Sequence, residues 1–264
     1  MKLRTKCAGL VALVATSLPG VATANASTPT TQDSASAASI ATVSSWKTVV
    51  MDHFDSGGVP SHWRAYNGPY GSGSKSCALP SHNTVSGGSL HLKMYYESSS
   101  TAGKCGAAWY SGGLTLSSTY SSVSQRVTVR FRVVQSGGIV AHRIIPMRWP
   151  DAGNGYGEED YCESTSNLYC STFLHWRDWA GRDRKKYFLS LNQWHTFTVE
   201  RNGYHVRVQI DGGTSFDFTG NSTSLPGTLK HVVLQQECNK LGCPLTKSGN
   251  EDIQIDWIKI ENPA

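Results

Sequence analysis

The stretch that decides the fold is Gln125-Arg126-Val127-Thr128-Val129-Arg130-Phe131-Arg132-Val133, in which apolar and polar side chains alternate. Successive side chains of a β-strand point to opposite faces, so this pattern predicts a strand with one apolar face packed on a core. The other face carries Arg126, Arg130 and Arg132. A row of arginines could bind an acidic polymer, but it is more often an ordinary solvated strand face, and we assign no function to it.

Similar strand patterns recur along the chain, at residues 89–94, 196–200, 205–210, 231–235 and 253–260. Hairpin signals lie between them: Gly87-Gly88, Gly112-Gly113, Gly137-Gly138, Asn202-Gly203 and Asp211-Gly212-Gly213. No segment keeps a helical period for long. Many strands without alternating helices predict an all-β fold, an antiparallel two-sheet sandwich. A cleft on a concave face of such a sandwich would suit a chain polymer.

The N-terminal residues have the pattern of an export signal. Lys2, Arg4 and Lys6 precede an apolar stretch over residues 7–18, and Ala24-Asn25-Ala26 has the form of a signal peptidase site. We therefore expect a signal peptide over 1–26 and a secreted, extracellular protein. Loss of those three cations would leave 21 of the 24 basic residues against 19 acidic ones, a formal charge of +2 instead of +5. The basicity of the chain thus comes mostly from the signal.

The rest of the chain reads as one domain after a linker. Residues 27–45 are rich in Ser, Thr and Ala and lack aromatic residues, which indicates a disordered linker or a propeptide. Residues 46–264 have a suitable length for a single catalytic β-sandwich domain. No later apolar run approaches the roughly 18 residues that would span a membrane.

Six of the seven cysteines lie after the signal, an even number suited to disulfides in an oxidising compartment. Six cysteines allow 15 pairings, and short loops close most easily. We therefore expect the sequential pairing, Cys77 with Cys105, Cys162 with Cys170 and Cys238 with Cys243. The last spacing could also suit a metal knuckle, but no second pair of ligands follows it.

The run Gly157-Glu158-Glu159-Asp160-Tyr161-Cys162-Glu163 places four acids in six residues. On a strand, Glu158 and Asp160 would share a face, where each carboxylate raises the proton affinity of the other. Glu163 would point away unless a β-bulge between Asp160 and Glu163 restores its face. Glu159 would point to the opposite face, in a structural role.

Three acids in a row suit glycoside hydrolysis, in which one carboxylate attacks the anomeric carbon and a protonated one serves the leaving oxygen. With the bulge, the backbones of Glu158 and Glu163 would lie roughly 13 Å apart, and inclined side chains could reach the roughly 5 Å separation of a retaining pair. A solvated acidic loop is the alternative that spacing alone leaves open.

The order of these features resembles glycoside hydrolase family 16, in particular its laminarinase-like group. The resemblance covers most of residues 46–262. The residues that carry it are Trp46 to Asp55 with Trp63 and Tyr66, the ExDxxE run from Glu158 to Glu163, His175-Trp176, Trp194-His195-Thr196-Phe197 and Ile255-Asp256-Trp257-Ile258-Lys259-Ile260.

The resemblance implies a concanavalin-like β-jelly-roll with a concave substrate cleft. It also implies a retaining endo-glycosidase of a β-linked polysaccharide, a β-1,3-glucan or a related glycan. By position, Glu158 would be the nucleophile, Glu163 the general acid and then base, and Asp160 a helper beside the nucleophile.

Candidate substrate-binding residues flank the acids. Aromatic rings commonly support sugars, so Trp149, Trp176 and Trp179 are candidates, although each could instead belong to the core. His175 could hydrogen-bond the acids or simply pack on an aromatic neighbour. Gln235 and Glu237 share a strand face and could bond sugar hydroxyls.

The chain also departs from the family pattern. Residues 138–144 lack the tryptophans that many members carry there, and Arg143 could instead bind a carboxylate or sulfate on a sugar. An ordinary β-1,3-glucan is therefore not assured. Cys162 lies inside the acidic motif, so a bond to Cys170 would tie the acidic strand to the next one.

We expect no required cofactor, because the sequence has no phosphate-binding glycine loop and no His/Cys ligand set. The resemblance allows a structural calcium at Asp256. The expected partner is a polysaccharide, with no nucleic acid or membrane partner, and a monomeric chain. Two alternatives stay open: a non-catalytic carbohydrate-binding jelly roll, and a polysaccharide lyase for uronic-acid polymers that would use His142, Arg143 and Tyr161.

Overall fold

The computed structural model describes residues 42–70, 74–98, 104–137, 141–178, 181–238, 243 and 247–264. Every described residue belongs to one compact unit, Ala38–Ala264. The predicted signal peptide and most of the predicted linker lie outside the described residues. Within the described part, no helix is long and apolar enough to cross a membrane.

The described chain forms 18 strands and two short 3₁₀ helices. The first strands are β1 (Trp46–Asp52), β2 (Trp63–Ala65), β3 (Gly68–Pro69), β4 (Cys77–Ala78), β5 (Asn83–Ser86), β6 (Ser89–Glu97), β7 (Ala108–Ser111), β8 (Gly113–Leu116) and β9 (Gln125–Ser136). They are followed by β10 (His142–Pro150), β11 (Glu159–Ser164), β12 (Tyr169–His175), β13 (Arg182–Phe188), β14 (His195–Asn202), β15 (His205–Ile210), β16 (Gly213–Thr219), β17 (Lys230–Glu237) and β18 (Asn250–Pro263). The 3₁₀ helices are Pro80–His82 and Ser118–Tyr120.

These strands form two sheets. The larger has 11 strands, with β16-β15-β14-β9-β18-β6-β7-β4-β3 as its main order, β1 beside β18 and β5 beside β6. The smaller has seven strands in the order β13-β12-β11-β10-β17-β8-β2. Pairing among the described strands is antiparallel except between β4 and β7. The predicted all-β, two-sheet sandwich is confirmed.

Each strand pattern of the sequence lies within an observed strand, and two of the hairpin signals show why the chain turns where it does. Gly87 and Gly88 join β5 to β6 with φ of 58° and 73°. Asp211 and Gly212, between β15 and β16, also have positive φ, at 51° and 84°. Positive φ at both central residues matches the twist of the flanking strands, which explains the tight reversals.

The core lies between the sheets and is built from the apolar faces of alternating strands. In β9, Val127, Val129, Phe131 and Val133 are all buried in it. Each such side chain contributes roughly 1.5–3 kcal/mol relative to an exposed position. The arginines of the opposite face have partners: Arg126 binds Glu261, Arg130 binds Asp256 and Arg132 binds Gln254. This is the ordinary strand face expected from the sequence.

A buried ion cluster interrupts the apolar core. The carboxylate of Glu159 lies 2.7 Å from Arg148, 2.6 Å from Arg201 and 3.2 Å from Lys230, and the Tyr161 hydroxyl donates to it at 2.6 Å. Burial alone would raise the pKa of Glu159, but Lys230, Arg148 and Arg201 outweigh it and hold that pKa well below its ordinary value. Because Arg201 lies on β14 and the other partners lie on β10, β11 and β17, the cluster joins the two sheets.

The predicted cysteine pairing is right at two of three places. Cys77 bonds Cys105 and Cys238 bonds Cys243, but Cys162 and Cys170 are free, buried thiols. In the β11–β12 register Glu163 lies opposite Ser171, so Cys162 and Cys170 are diagonal neighbours. Diagonal positions lie about 7–8 Å apart, which exceeds the usual disulfide span. Burial, then the Cys170 thiol, raises the pKa of Cys162, so this thiol stays protonated.

Glu159→Gln should lower the free energy of unfolding by about 3–5 kcal/mol, because it leaves buried cations without their counter-charge. Glu200→Gln is the matched control, since Glu200 pairs with Arg126 at 3.6 Å in a partly exposed position, and it should cost less than about 1 kcal/mol. Urea unfolding followed by tryptophan fluorescence measures both. Equal losses would contradict the anchoring role of Glu159.

Chain 27–264, unfolded without reductant, should react with two equivalents of a thiol reagent, and the native protein with none, because both free thiols are buried. Peptide mapping should place both labels at Cys162 and Cys170. If the unfolded chain does not react, Cys162 and Cys170 form the third disulfide after all.

Candidate active site

A β-bulge in β11 sets the direction of the acids. Asp160 pairs with Met147 and Phe173, and Glu163 pairs with Ile144 and Ser171, while the register shifts between Asp160 and Glu163. The two intervening residues, Tyr161 and Cys162, are both buried in the core. Asp160 and Glu163 therefore share the outward face of the seven-stranded sheet, hereafter the acid face. The predicted bulge is confirmed, and Glu159 lies on the opposite, core side as expected.

Glu158, Asp160 and His175 form a compact group on the acid face. Their side-chain ligand atoms all lie within 4.8 Å of one another, and His175 Nε2 lies 3.1 Å from Asp160 Oδ2. The backbone N–H of His175 donates to the carbonyl of Glu158 at 2.9 Å, which holds Glu158 at the start of β11. The group has the ligand types of a metal site, but neighbouring carboxylates also form proton-sharing pairs, and its contacts fit that use.

Proton sharing follows from burial. Burial, then the neighbouring Asp160 carboxylate, raises the pKa of Glu158 to about 9. Asp160 is 2% exposed, and burial and the charge of Glu163 raise its pKa as well. The pair therefore retains at least one proton at neutral pH. Burial lowers the pKa of His175, so its imidazole is neutral there.

Glu163 is held by His142, a residue that the sequence analysis named only for the lyase alternative. His142 Nε2 lies 2.8 Å from Glu163 Oε1, and His142 Nδ1 lies 3.2 Å from Glu237 Oε1. Burial alone would lower the pKa of His142, but the bonds to Glu163 and Glu237 outweigh it and raise it to about 9. The position of His142 in β10 could have placed it here. It lies two residues before Ile144, which pairs with Glu163, so its side chain shares the face of Glu163.

Three further predicted binding residues lie on the acid face beside these groups. Trp149 is half-buried and packs with Ile144, Met147 and Val233. Its register position is next to Glu158, because Arg148 pairs with Glu159. Gln235 pairs with Ile144 and is also half-buried. Glu237 shares this face, but its carboxylate is engaged by His142.

Arg143 is not a substrate-binding residue in this structure. It is 2% exposed, and its Nε lies 2.8 Å from Glu251 in an ion pair on the core side of β10. The pleat explains the error, because His142 and Ile144 take the acid face and turn Arg143 inward.

Trp176 also departs from the prediction. His175 takes the acid face, so Trp176 turns the other way, where its Nε1 donates to Asp183 at 2.9 Å and its ring packs against Gly181. It lines a cavity of about 500 Å³ with Phe218 and Asn221, away from the acids. Trp179 lies outside the described residues.

The residues around Asp256 do not fit a calcium ion. The Asp256 carboxylate accepts a hydrogen bond from the Arg130 guanidinium, so a cation already sits where calcium would bind. Among the described residues, Asp256 does not belong to any cluster of three metal-capable side chains.

Comparisons with solved structures bear on the fold. The catalytic domain of an endo-1,3-β-glucanase (laminarinase) from Thermotoga petrophila aligns at TM-score 0.70 and 17% identity, over 83% of this chain and 98% of its own. The chain has the fold of the family 16 glucanases. An endo-β-1,3-glucanase from Pyrococcus furiosus aligns at TM-score 0.69 and 14% identity, over 83% and 95%.

The non-specific endo-β-1,3(4)-glucanase SCLam, from family 16, aligns at TM-score 0.70 and 17% identity over 85% and 94%. A mutant of SCLam presents 1,3-β-D-cellobiosyl-glucose at its active site. A scan of protein-family models and a search of curated proteins found no match. These identities support the fold alone.

Proposed function

We propose that the protein is a secreted glycoside hydrolase that cleaves β-linkages within a polysaccharide and retains the anomeric configuration. The observation that carries the proposal is the bulge in β11, which brings Glu158, Asp160 and Glu163 to one face of the sheet. The export pattern at the N-terminus supports secretion, and the fold of the glucanases supports a glycan as substrate.

In the first step, Glu158 attacks the anomeric carbon. Its attack requires an anionic carboxylate, so the proton of the Glu158–Asp160 pair must then lie on Asp160. As the glycosidic bond breaks, Glu163 gives a proton to the leaving oxygen, and the sugar becomes an ester of Glu158.

In the second step, the roles of Glu163 reverse. Its carboxylate removes a proton from a water molecule, whose oxygen attacks the anomeric carbon and displaces Glu158. The oxygen of water enters from the side that the leaving group occupied, so two inversions give net retention. The Glu158–Asp160 pair regains its starting charge.

His142 stores the proton that Glu163 transfers. An imidazolium bonded to a carboxylate and a neutral imidazole bonded to a carboxylic acid differ only by movement of one proton along the 2.8 Å contact. Glu237 holds the far side of the ring and stabilises its positive charge. His142 therefore positions Glu163 and keeps a proton in the pair at neutral pH.

The geometry gives no support to a lyase. Two of the three residues that a lyase would use are buried: Tyr161 donates a hydrogen bond to Glu159, and Arg143 pairs with Glu251. Only His142 reaches the acid face.

Glu163→Gln should lower kcat by about 10²–10⁴-fold on natural polymers, since it removes general acid catalysis, and Glu158→Gln should remove turnover altogether. The assay is release of reducing ends from a panel of β-glucans, galactans and acidic polysaccharides, with absorbance of unsaturated products recorded in parallel. Asp217→Asn, an exposed acid on β16, is the control and should be neutral.

Full activity of Glu163→Gln would refute its role. Unsaturated products from the wild type would indicate a lyase, and binding without products would indicate a carbohydrate-binding protein.

His142→Gln should move the alkaline limb of the kcat/KM profile. In the wild type the limb should lie near pH 9, because the folded-state pKa of His142 is raised to about 9 and the pair loses its proton as pH rises through that value. Glutamine keeps a hydrogen bond to Glu163 but holds no proton, so the limb should shift to lower pH. A limb that stays near 9 would instead belong to the Glu158–Asp160 pair and would contradict the role of His142.

A further inference from the structure

Three cations line the acid face at its edge. Arg182, Arg184 and Lys186 alternate along β13, the edge strand of the seven-stranded sheet. Arg184 pairs with Phe173, which pairs with Asp160, and Lys186 pairs with Ser171, which pairs with Glu163. The cations therefore share the face of the acids, two strand spacings or about 10 Å away. We call Arg182, Arg184 and Lys186 the cationic row.

Aromatic rings hold the cationic row in place. The guanidinium carbons of Arg182 and Arg184 lie 5.0 Å and 5.2 Å from the centroid of the Phe173 ring. Lys186 Nζ lies 3.5 Å from the centroid of the Tyr169 ring. Such cation–π contacts each contribute about 0.5–1 kcal/mol at exposed sites. They also cover the rings, so a sugar that reaches this edge meets guanidinium and ammonium groups first.

The cationic row has no internal counter-charge. Within the described part of the chain, none of its three members lies within 4.0 Å of a carboxylate, whereas Arg126 and Arg130 of the larger sheet both do. Arg182 and Arg184 flank the same ring and repel each other. An anion between them would relieve this repulsion and accept the paired N–H donors that suit carboxylate and sulfate groups.

We propose that the cationic row binds carboxylate or sulfate substituents on a sugar unit next to the cleaved bond, so that the substrate is an anionic β-linked polysaccharide. This inference rests on the proposed function for the cleavage itself. The distance from the acids places the anionic group on a flanking unit, where it does not oppose the negative charge of the Glu158–Asp160 pair.

The test measures binding separately from turnover. Isothermal titration calorimetry with the Glu158→Gln variant gives affinities without hydrolysis. Three β-linked probes of matched length are compared: a glucuronic acid oligomer, a sulfated laminarin oligomer and a neutral laminarin oligomer. Adding Arg182→Gln and Arg184→Gln should weaken binding of an anionic probe at least 10-fold and of the neutral probe less than 2-fold. Whichever anionic probe binds identifies the substituent.

Lys185→Gln is the matched control, because Lys185 is an exposed cation on the other face of the same strand. It should change every affinity less than 2-fold. Affinity for the anionic probe should also fall as NaCl rises from 50 to 200 mM, and Lys186→Gln should reduce that salt dependence.

Turnover by the wild type separates this inference from the proposed function. If binding of an anionic probe depends on the two arginines but no polymer is cleaved, the role of the cationic row is supported and the proposed hydrolase activity is overturned. If the wild type cleaves neutral glucans and all variants bind the anionic probes equally well, the hydrolase activity is supported and this inference is overturned. The cations would then serve only to keep the edge strand from pairing with another chain.

Discussion

The structure depends on one buried carboxylate, that of Glu159. Three cations and a hydroxyl from four strands converge on it, and they come from both sheets. Such a cluster adds less to stability than an apolar core of the same size, but it tolerates little displacement, because a buried charge without its partner is very costly. It therefore fixes where β11 lies and which face each of its residues presents.

The chemistry of the acid face follows from that constraint. Since Glu159 points inward, the pleat turns Glu158 and Asp160 outward together, and the bulge adds Glu163 to the same face. Each catalytic carboxyl then has a different environment: Glu158 shares a proton with Asp160, and Glu163 bonds an imidazolium. These different environments allow adjacent acids to act as nucleophile and proton donor. Further along the face, the cationic row adds positive charge where the acids end.

The sequence was most informative where local pattern controls structure. Strand alternation, the tight turns at Gly87-Gly88 and Asp211-Gly212 and the bulge follow from the order of residues within a few positions, and these were predicted. The errors concern contacts between distant segments. Arg143 was assigned by its place in the stretch where many family members carry tryptophans, and Trp176 by its nearness to the acids in sequence. Strand parity turns both side chains away from the acids. The diagonal register of Cys162 and Cys170, and the convergence of His142 on Glu163, depend on how three strands align, which no single stretch specifies.

The most direct test of the central claim is to identify the residue that carries the sugar. Wild-type protein would be incubated with an activated 2-deoxy-2-fluoro glycoside of an oligosaccharide that it cleaves, digested, and mapped by tandem mass spectrometry. A covalent glycosyl ester on Glu158, absent from Glu158→Gln, is the predicted result. A label on Asp160 or Glu163, or turnover with inversion and no labelled peptide, would contradict the assignment of the acid face.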